Sequence, residues 1–435
     1  MLAGYFKLYI TTLFFYSVKN ISNIGIYMSL MNDTKMLVKP LFILTSTNVL
    51  ISLLAYVLTI TLANTLGPTK FGAYSHIFII SALLSVLIKF GTEQTASASH
   101  IRGGSVSEVL NNVFIIRLVC GLLCFIVLTL LEYPNYLLVF FVLLTTLKNY
   151  DLSCLYEMRE KNERYAYVNL GERVLFVSGA FVLIYFDYSE VDGYFMILGM
   201  VTMGGIFFQL FDSNNHKYFR LSFRSNGIVE NVQQNFPITV VSLSAFTFGG
   251  FSRLILEEKM GVEVLGVYSL GWQLITIGTI FQAFVYRIWR RRIASALKSG
   301  LMKNLVREIQ TYFLLATFPM VLIFGIFTLF AEPIVTTIFS SQYFELVPLM
   351  PIFGLYIVLT SLAGLVEMLW VATGKNQTAM FLNIAFSGLL LIGLFNFSGS
   401  FQMIDFLIAT VSVHVLLVVS LAYIWFLKFR SMFKT

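Results

Sequence analysis

The chain has 435 residues, of which 58% are hydrophobic and only 12% are charged, and its mean hydropathy is +0.82. A soluble protein of this size carries about 25% charged residues, so these values exclude a water-soluble globule and indicate a lipid environment. The formal net charge of +7 does not indicate nucleic-acid binding, because the sequence has no basic stripe with interleaved aromatic residues.

Residues 1–35 precede the first long apolar segment. Their apolar run, LYITTLFFYSV, is too short to span a bilayer and lacks the small-residue cleavage site of a signal peptide. We interpret this N-terminal extension either as an interfacial helix or as a misassigned start, because the sequence from Met36 would open a membrane protein naturally. No specific function is predicted for it.

Twelve later segments are each long and apolar enough to cross the hydrocarbon core, which takes about 20 residues in a helix. The sequence therefore predicts an all-α integral membrane protein with twelve transmembrane helices. The predicted crossings lie at about 37–64, 72–92, 110–131, 136–156, 166–186, 193–211, 236–256, 264–286, 310–330, 347–370, 377–397 and 402–427.

The distribution of lysine and arginine between the crossings predicts the topology. Loops after even-numbered crossings, together with the C-terminus, hold eighteen of these cations. Loops after odd-numbered crossings hold two, Lys70 and Lys259. Because cytoplasmic loops are enriched in lysine and arginine, both termini are predicted to be cytoplasmic.

A hinge sequence occurs twice between long apolar segments. LGPTKFGAYS (residues 66–75) aligns without gaps with MGVEVLGVYS (residues 260–269), so that Gly67, Gly72, Tyr74 and Ser75 match Gly261, Gly266, Tyr268 and Ser269. A second pair, EKNERYAYVN (160–169) and GKNQTAMFLN (374–383), follows the fourth and tenth crossings. The order of the matches predicts two parallel six-helix bundles, at residues 36–215 and 236–435, joined by a cytoplasmic linker at 216–235. Two such bundles could rock against each other and expose a central cavity to each side in turn.

The first hinge, the segment LIKFGTEQTASA at the end of the second crossing, and the Lys-Asn turn after the fourth crossing resemble the polysaccharide-transporter family. That family includes the Wzx-type flippases and shares a superfamily with the MATE drug exporters and the lipid II flippase MurJ. The resemblance implies a MATE-like fold in the bacterial inner membrane. It also implies export of undecaprenyl-pyrophosphate-linked glycan, such as O-antigen repeat units, to the periplasmic leaflet. The implied partners are this glycan, membrane lipids, and the polymerase and chain-length proteins of the same pathway.

Ionisable residues inside the crossings are the candidate functional groups, because such groups are costly in lipid and normally face a bundle interior or a wet cavity. The predicted substrate-binding cations are Lys89, Lys148 and Arg253, with Arg117 next. Glu93 and Asp151 are candidate cavity acids or ion-coupling residues of the first half. Lys89 with Glu93, and Lys148 with Asp151, have spacings that place each pair on one helix face, so internal neutralisation is an equal alternative. Arg253, Arg117 and Arg173 could instead reach the membrane surface.

The acids of the second bundle suggest a different use. Glu367 and Asp405 are isolated in apolar helices, and with His414 they are candidates for ion coupling, although a protonated carboxyl bonded between helices is the simpler interpretation. The sequence predicts no cofactor, metal site or catalytic motif, and the short loops argue against a membrane enzyme. A multidrug or cation exporter is the alternative function, and it predicts a cavity dominated by carboxylates.

Overall fold

A computed structural model describes residues 25–101, 103–130, 136–188, 190–218, 228–298, 300–373, 376–396 and 402–429. Within these ranges the chain forms helices joined by short turns, without strands. Apolar segments become helices here because a helix satisfies all of its backbone hydrogen bonds internally, which lipid cannot do for it. The predicted extension lies outside these ranges up to residue 24, and part of the predicted linker does so at 219–227.

In the described ranges, the first half of the chain has seven α-helices. Its helices are α1 (Gly25–Lys89), α2 (Thr92–Ile101), α3 (Val106–Leu130), α4 (Tyr136–Thr146), α5 (Ser153–Met158), α6 (Asn162–Tyr185) and α7 (Val191–Phe211). Helix α1 begins within the predicted extension and consists of two helical stretches that meet at a kink at Gly67, where the backbone is not helical. No break at residue 35 therefore separates the extension from the first crossing.

The second half contains helices α8 (Ile228–Phe246), α9 (Ser252–Met260), α10 (Val262–Lys298), α11 (Met302–Tyr312), α12 (Phe318–Leu329), α13 (Ala331–Ile338), α14 (Met350–Thr373), α15 (Asn376–Asn396) and α16 (Met403–Phe429). Two π-helical turns, Thr247–Phe251 and Phe313–Thr317, join α8 to α9 and α11 to α12. Such turns are rare and occur frequently at functional sites.

The all-helical membrane fold predicted from the sequence is confirmed. In the described ranges, nine helices are long and apolar enough to cross a membrane. Each predicted crossing coincides with helical structure, but the total of twelve and the side of the termini stay predictions. The fourth crossing differs from the prediction: it is not one helix, because α4 ends at Thr146 and a 3-10 turn, Leu147–Tyr150, separates it from α5.

The two halves of the chain pack mostly within themselves and meet mainly through α1 and α10. In the first half, α1 packs against α3, α4 and α6; in the second half, α14 packs against α10, α12 and α16. The largest contact between the halves joins α1 to α10. One bond in that contact runs from Thr59 Oγ1 to Gln273 Oε1, at 2.6 Å.

The two copies of the hinge have the same backbone conformation. Gly67 has φ 70° and ψ 171°, and Gly261 has φ 92° and ψ 170°. Only glycine adopts this region readily, because a Cβ atom would clash with the backbone there. The repeat recognised in the sequence therefore also has matching backbone conformations at its first glycine. Both copies lie between predicted crossings that place them on the same side of the membrane. We call this side the hinge face; it is the side predicted to be periplasmic.

At the hinge face the two copies contact each other reciprocally. A Cβ atom built on Gly72 would overlap the carbonyl oxygen of Val262, and one built on Gly266 would overlap the carbonyl oxygen of Pro68. Each matched glycine thus lets its helix approach the backbone just after the hinge glycine of the other half. The absence of a side chain at both positions makes this contact between the halves possible.

Further bonds join the halves at the hinge face. The Asn64 side chain donates to the carbonyl oxygen of Ile338 at 2.9 Å and accepts from the amide of Ser340 at 2.9 Å. His76 Nδ1 lies 2.6 Å from Glu257 Oε2. At the opposite face, Thr95 Oγ1 donates to Asn235 Oδ1 at 2.6 Å. In this conformation the halves therefore touch near both faces, with the backbone interlocked at the hinge face.

Candidate functional site

The break in the fourth crossing is stabilised by side chains from neighbouring helices. Arg117 Nη1 donates to the carbonyl oxygens of Asn149, at 2.6 Å, and Asp151, at 3.3 Å. The amide of Leu152 donates to Gln209 Oε1 at 2.8 Å. These bonds replace the backbone bonds that a continuous helix would have made, as a broken helix at bilayer depth requires.

Arg117 is enclosed by protein in this structure. Its residue surface is 1% exposed, its Nε donates to Thr92 Oγ1 at 3.1 Å, and its Nη1 lies 4.0 Å from Asp151 Oδ1. Asp151 is buried as well and accepts from Ser153 Oγ at 2.7 Å and Tyr165 Oη at 2.5 Å. Arg117 was expected either to reach the membrane surface or to face a cavity, and the enclosed position in this structure matches neither expectation. Its contact with substrate stays a prediction, while its visible role is to brace the break.

Lys148 is neutralised, but mainly by a residue that its spacing did not indicate. Its Nζ lies 2.5 Å from Glu172 Oε2, 2.8 Å from Asn169 Oδ1 and 3.9 Å from Asp151 Oδ2. The predicted Lys148–Asp151 pair on one helix face is thus the weaker contact, because both residues lie where the helix has ended. The Lys148 side chain is 37% exposed, so it remains accessible.

Lys89 and Glu93 form the pair that their spacing predicts. Lys89 Nζ lies 2.9 Å from Glu93 Oε2, and the two side chains are 30% and 37% exposed. Both candidate lysines of the first half therefore have a carboxylate partner. A substrate anion would have to compete with these carboxylates for either lysine.

Two arginines differ from these lysines because, in the described part of the chain, neither has a carboxylate within 4.0 Å. Arg173 lies midway along α6, near Tyr74 and over the ring of Phe176, with a buried Nε that lacks an acceptor. Arg253 follows the first π-helical turn. Both arginines are half-buried, and Glu257, one turn after Arg253, is bonded to His76 instead. Arg173 was not among the predicted substrate-binding cations, because in the sequence it stands beside Glu172.

Arg253 lies among aromatic side chains of the second half. Its Nε bonds to the carbonyl oxygen of Gly249, and its Cζ lies 5.6 Å from the centroid of the Trp272 ring. Tyr268 and Tyr356 are close enough to interact with the guanidinium electrostatically. Tyr268 is the hinge-repeat tyrosine, as Tyr74 is beside Arg173. In each half, therefore, an arginine without a carboxylate partner lies near the matched tyrosine.

The remaining candidate acids have distinct surroundings. Glu367 on α14 is exposed, with Tyr286 and Arg290 of α10 near its carboxylate. Asp405 is not in the interior of its helix: it is the third residue of α16, and its Oδ2 accepts from the amide of Gln402 at 3.0 Å, as a capping carboxylate does. Ion coupling at either residue, or at His414, stays a prediction.

Comparison with solved structures identifies the class of fold. The chain is similar to an inward-facing multidrug resistance MATE family transporter of the MOP superfamily (TM-score 0.69, 14% identity, 91% of this chain and 99% of that chain). It is also similar to an outward-facing one (TM-score 0.64, 14% identity, 91% and 96%). A third similar structure is a MOP superfamily transporter from Pyrococcus furiosus, described as having a binding pocket of reverse polarity (TM-score 0.63, 14% identity, 91% and 95%). The fold is thus MATE-like, that of a multi-pass membrane transporter.

Comparison of the sequence with known protein families shows which family the chain belongs to. Residues 37–288 match the polysaccharide biosynthesis protein family, so the chain belongs to that family. No curated protein matches the chain. Family and fold are those of membrane transporters rather than of catalytic enzymes. The family resemblance stated from the sequence is therefore confirmed.

Proposed function

We propose that this protein is a flippase that moves a pyrophosphate-linked glycan on a polyprenyl carrier from the cytoplasmic to the periplasmic leaflet of a bacterial inner membrane. The family match and the transporter fold support polysaccharide export in general. The observation that carries the proposal further is the positive sign of the unpaired charges: among the residues that the structure describes, no carboxylate lies within 4.0 Å of Arg173 or Arg253. An arginine fork suits an ionised phosphate.

The same observation weighs against the alternative, a multidrug or cation exporter. A cationic drug would be repelled by Arg173 and Arg253, and a carboxylate-lined cavity was the expected feature of such an exporter. The similar Pyrococcus furiosus transporter, with its pocket of reverse polarity, supports the view that this fold accommodates pockets of different charge. O-antigen repeat units, and coupling with a polymerase and chain-length proteins, belong to the proposal through the family resemblance.

Deletion of the gene tests the proposed function directly. We expect lipid-linked repeat units to accumulate facing the cytoplasm, with loss of the surface polysaccharide, and we expect the wild-type gene to restore both. The measurement is protection of the lipid-linked glycan from an impermeant glycosidase or lectin in spheroplasts. Unchanged surface polysaccharide in a strain without a redundant transporter would contradict the proposal.

The Lys148–Glu172 pair offers a second test, which separates substrate binding from neutralisation. Lys148→Met should lower both thermal stability and export, because it leaves Glu172 without its partner. The double variant Lys148→Met, Glu172→Gln should recover stability, whereas export should stay about tenfold or more below wild type, since a hydrogen bond to a charged group contributes about 1.5–3 kcal/mol.

The exposed pair Lys70–Glu190, at 2.9 Å, provides the matched control. Lys70→Met should change stability by less than about 1 kcal/mol, because exposed ion pairs contribute little. Full export by the Lys148, Glu172 double variant would assign the pair to neutralisation alone and remove Lys148 from the substrate path.

A further inference from the structure

Four polar side chains from three helices of the second half meet around Tyr356 of α14. Arg253 comes from α9, Tyr268 and Trp272 from α10, and His414 from α16. The Tyr356 ring centroid lies 4.8 Å from that of Trp272 and 5.1 Å from that of His414, and Tyr356 is close enough to Arg253 to interact electrostatically. We call these four side chains the donor cluster.

Several buried polar atoms of the donor cluster have no hydrogen-bond partner among the residues that the structure describes. They are the Tyr268 hydroxyl, Trp272 Nε1 and both ring nitrogens of His414. The Tyr268 hydroxyl lies near Trp272 and Thr410 but makes no aligned bond with either. Buried polar groups in native proteins are nearly always bonded, so several orphaned groups in one place indicate a partner that is not part of the chain.

The chemistry of these atoms defines the sign of the charge on that partner. Arginine, tryptophan and tyrosine present hydrogen-bond donors, and histidine presents at least one. In the described ranges no carboxylate lies within 4.0 Å of Arg253 to balance its charge. An uncompensated cation at bilayer depth is costly, and the aromatic rings beside it compensate only in part. An anion satisfies both the charge and the unused donors, whereas a metal cation would satisfy neither.

We propose that the donor cluster binds a small anion from solution while the transporter is empty, and that an ionised phosphate of the substrate displaces it. A halide and a phosphate oxygen share the required chemistry, since both accept several hydrogen bonds around a negative charge. Binding of the free anion follows from the residues alone. Its displacement by the substrate rests on the proposed function.

Thermal unfolding of the purified full-length protein in detergent tests the first step. Sodium gluconate is replaced stepwise by sodium chloride at constant ionic strength, so that the sodium concentration does not change. We expect the midpoint temperature to rise with chloride in the wild-type protein, because a ligand of the folded state stabilises it. Arg253→Gln should lose this rise, and Trp272→Phe, which keeps the ring but removes the donor, should reduce it.

The matched control is Arg307→Gln, which removes the same charge from a side chain that is 61% exposed. This variant should keep the full chloride dependence. A midpoint that ignores chloride in the wild-type protein, or that rises equally in Arg253→Gln, overturns the proposal. If Arg253→Gln does not fold, the Trp272→Phe protein decides the outcome in the same way.

Competition with farnesyl diphosphate, a soluble diphosphate on a short isoprenoid, tests the second step. We expect it to stabilise the wild-type protein and to reduce the additional effect of chloride, and we expect both effects to be lost in Arg253→Gln. A chloride effect unchanged at saturating diphosphate overturns displacement. The spheroplast experiment tests the proposed function separately. If deletion of the gene leaves glycan export unaltered while the purified protein still binds chloride, the proposed substrate is rejected and the anion site is retained.

Discussion

Replacing Gly72 with alanine should prevent the hinge face from closing and thereby block export. The new Cβ would overlap the carbonyl oxygen of Val262, which belongs to the backbone of the other half and cannot rotate away as a side chain could. Overpacking costs about 1–3 kcal/mol, and a penalty confined to one of two states shifts their ratio by a factor of about 5–150. Gly266→Ala should have the same effect, because its Cβ would overlap the carbonyl oxygen of Pro68.

The measurement is the accessibility of a cysteine at the interlocked contact. Ala63 is fully buried there, and its carbonyl oxygen accepts from Tyr343 Oη at 3.0 Å across the halves. In a background without the native cysteines, Ala63→Cys should be protected from an impermeant maleimide, and Gly72→Ala should increase its labelling in parallel with the loss of export.

Gly388→Ala is the matched control for the hinge glycines. Gly388 lies inside α15, and a Cβ atom there would meet no heavy atom within 4 Å. This change should be neutral or stabilising by up to about 1 kcal/mol, since alanine favours a helix more than glycine does. Unchanged labelling and normal export in Gly72→Ala would show that the reciprocal contact is not needed for closure.

The sequence predicted the helices well and their mutual contacts poorly. Long apolar segments must form helices in lipid, so the helical segments could be located from hydropathy alone. The hinge repeat could likewise be located, and its glycines at 67 and 261 have the matching conformations that a true repeat requires. That the two copies contact each other could not be predicted, because sequence identity between segments does not determine how they are placed in space.

The charged pairs show the same limit. Lys89 and Glu93 do pair, but across the turn at Phe90 and Gly91 that separates α1 from α2, so the contact is local without being on one helix face. Lys148 and Asp151 form only the weaker contact, since α4 ends at Thr146, before both residues, and Glu172 approaches Lys148 from α6. Where a helix is broken, or where another helix brings an acid closer than the one nearby in the sequence, tertiary contacts therefore decide which partner a cation has.

Arg253 and Glu257 were neighbours by spacing as well, yet His76 of the other half bonds to Glu257. Within the described ranges Arg253 is thereby left without a carboxylate, and the same holds for Arg173, whose sequence neighbour Glu172 binds Lys148. The two arginines that support the proposed function are thus the ones whose adjacent acids are bonded elsewhere. No sequence pattern carries that information.

Arg117→Met should destabilise the protein strongly, although export was the role predicted for this residue. The change would leave the carbonyl oxygens of Asn149 and Asp151 without a donor and would remove a cation beside the buried Asp151 carboxylate. Removing one partner of a buried ion pair costs about 3–5 kcal/mol. We therefore expect a large fall in the thermal midpoint and little folded protein in the membrane.

Arg164 provides the comparison, because its pair with Asp212, at 3.3 Å, involves a side chain that is 56% exposed. Arg164→Met should cost less than about 1 kcal/mol, as exposed ion pairs usually do. An Arg117→Met protein with a normal midpoint but no export would assign Arg117 to the substrate rather than to the fold. A broken helix at bilayer depth must have its freed carbonyls satisfied, and the described residues give Arg117 that task, so loss of stability is the expected result.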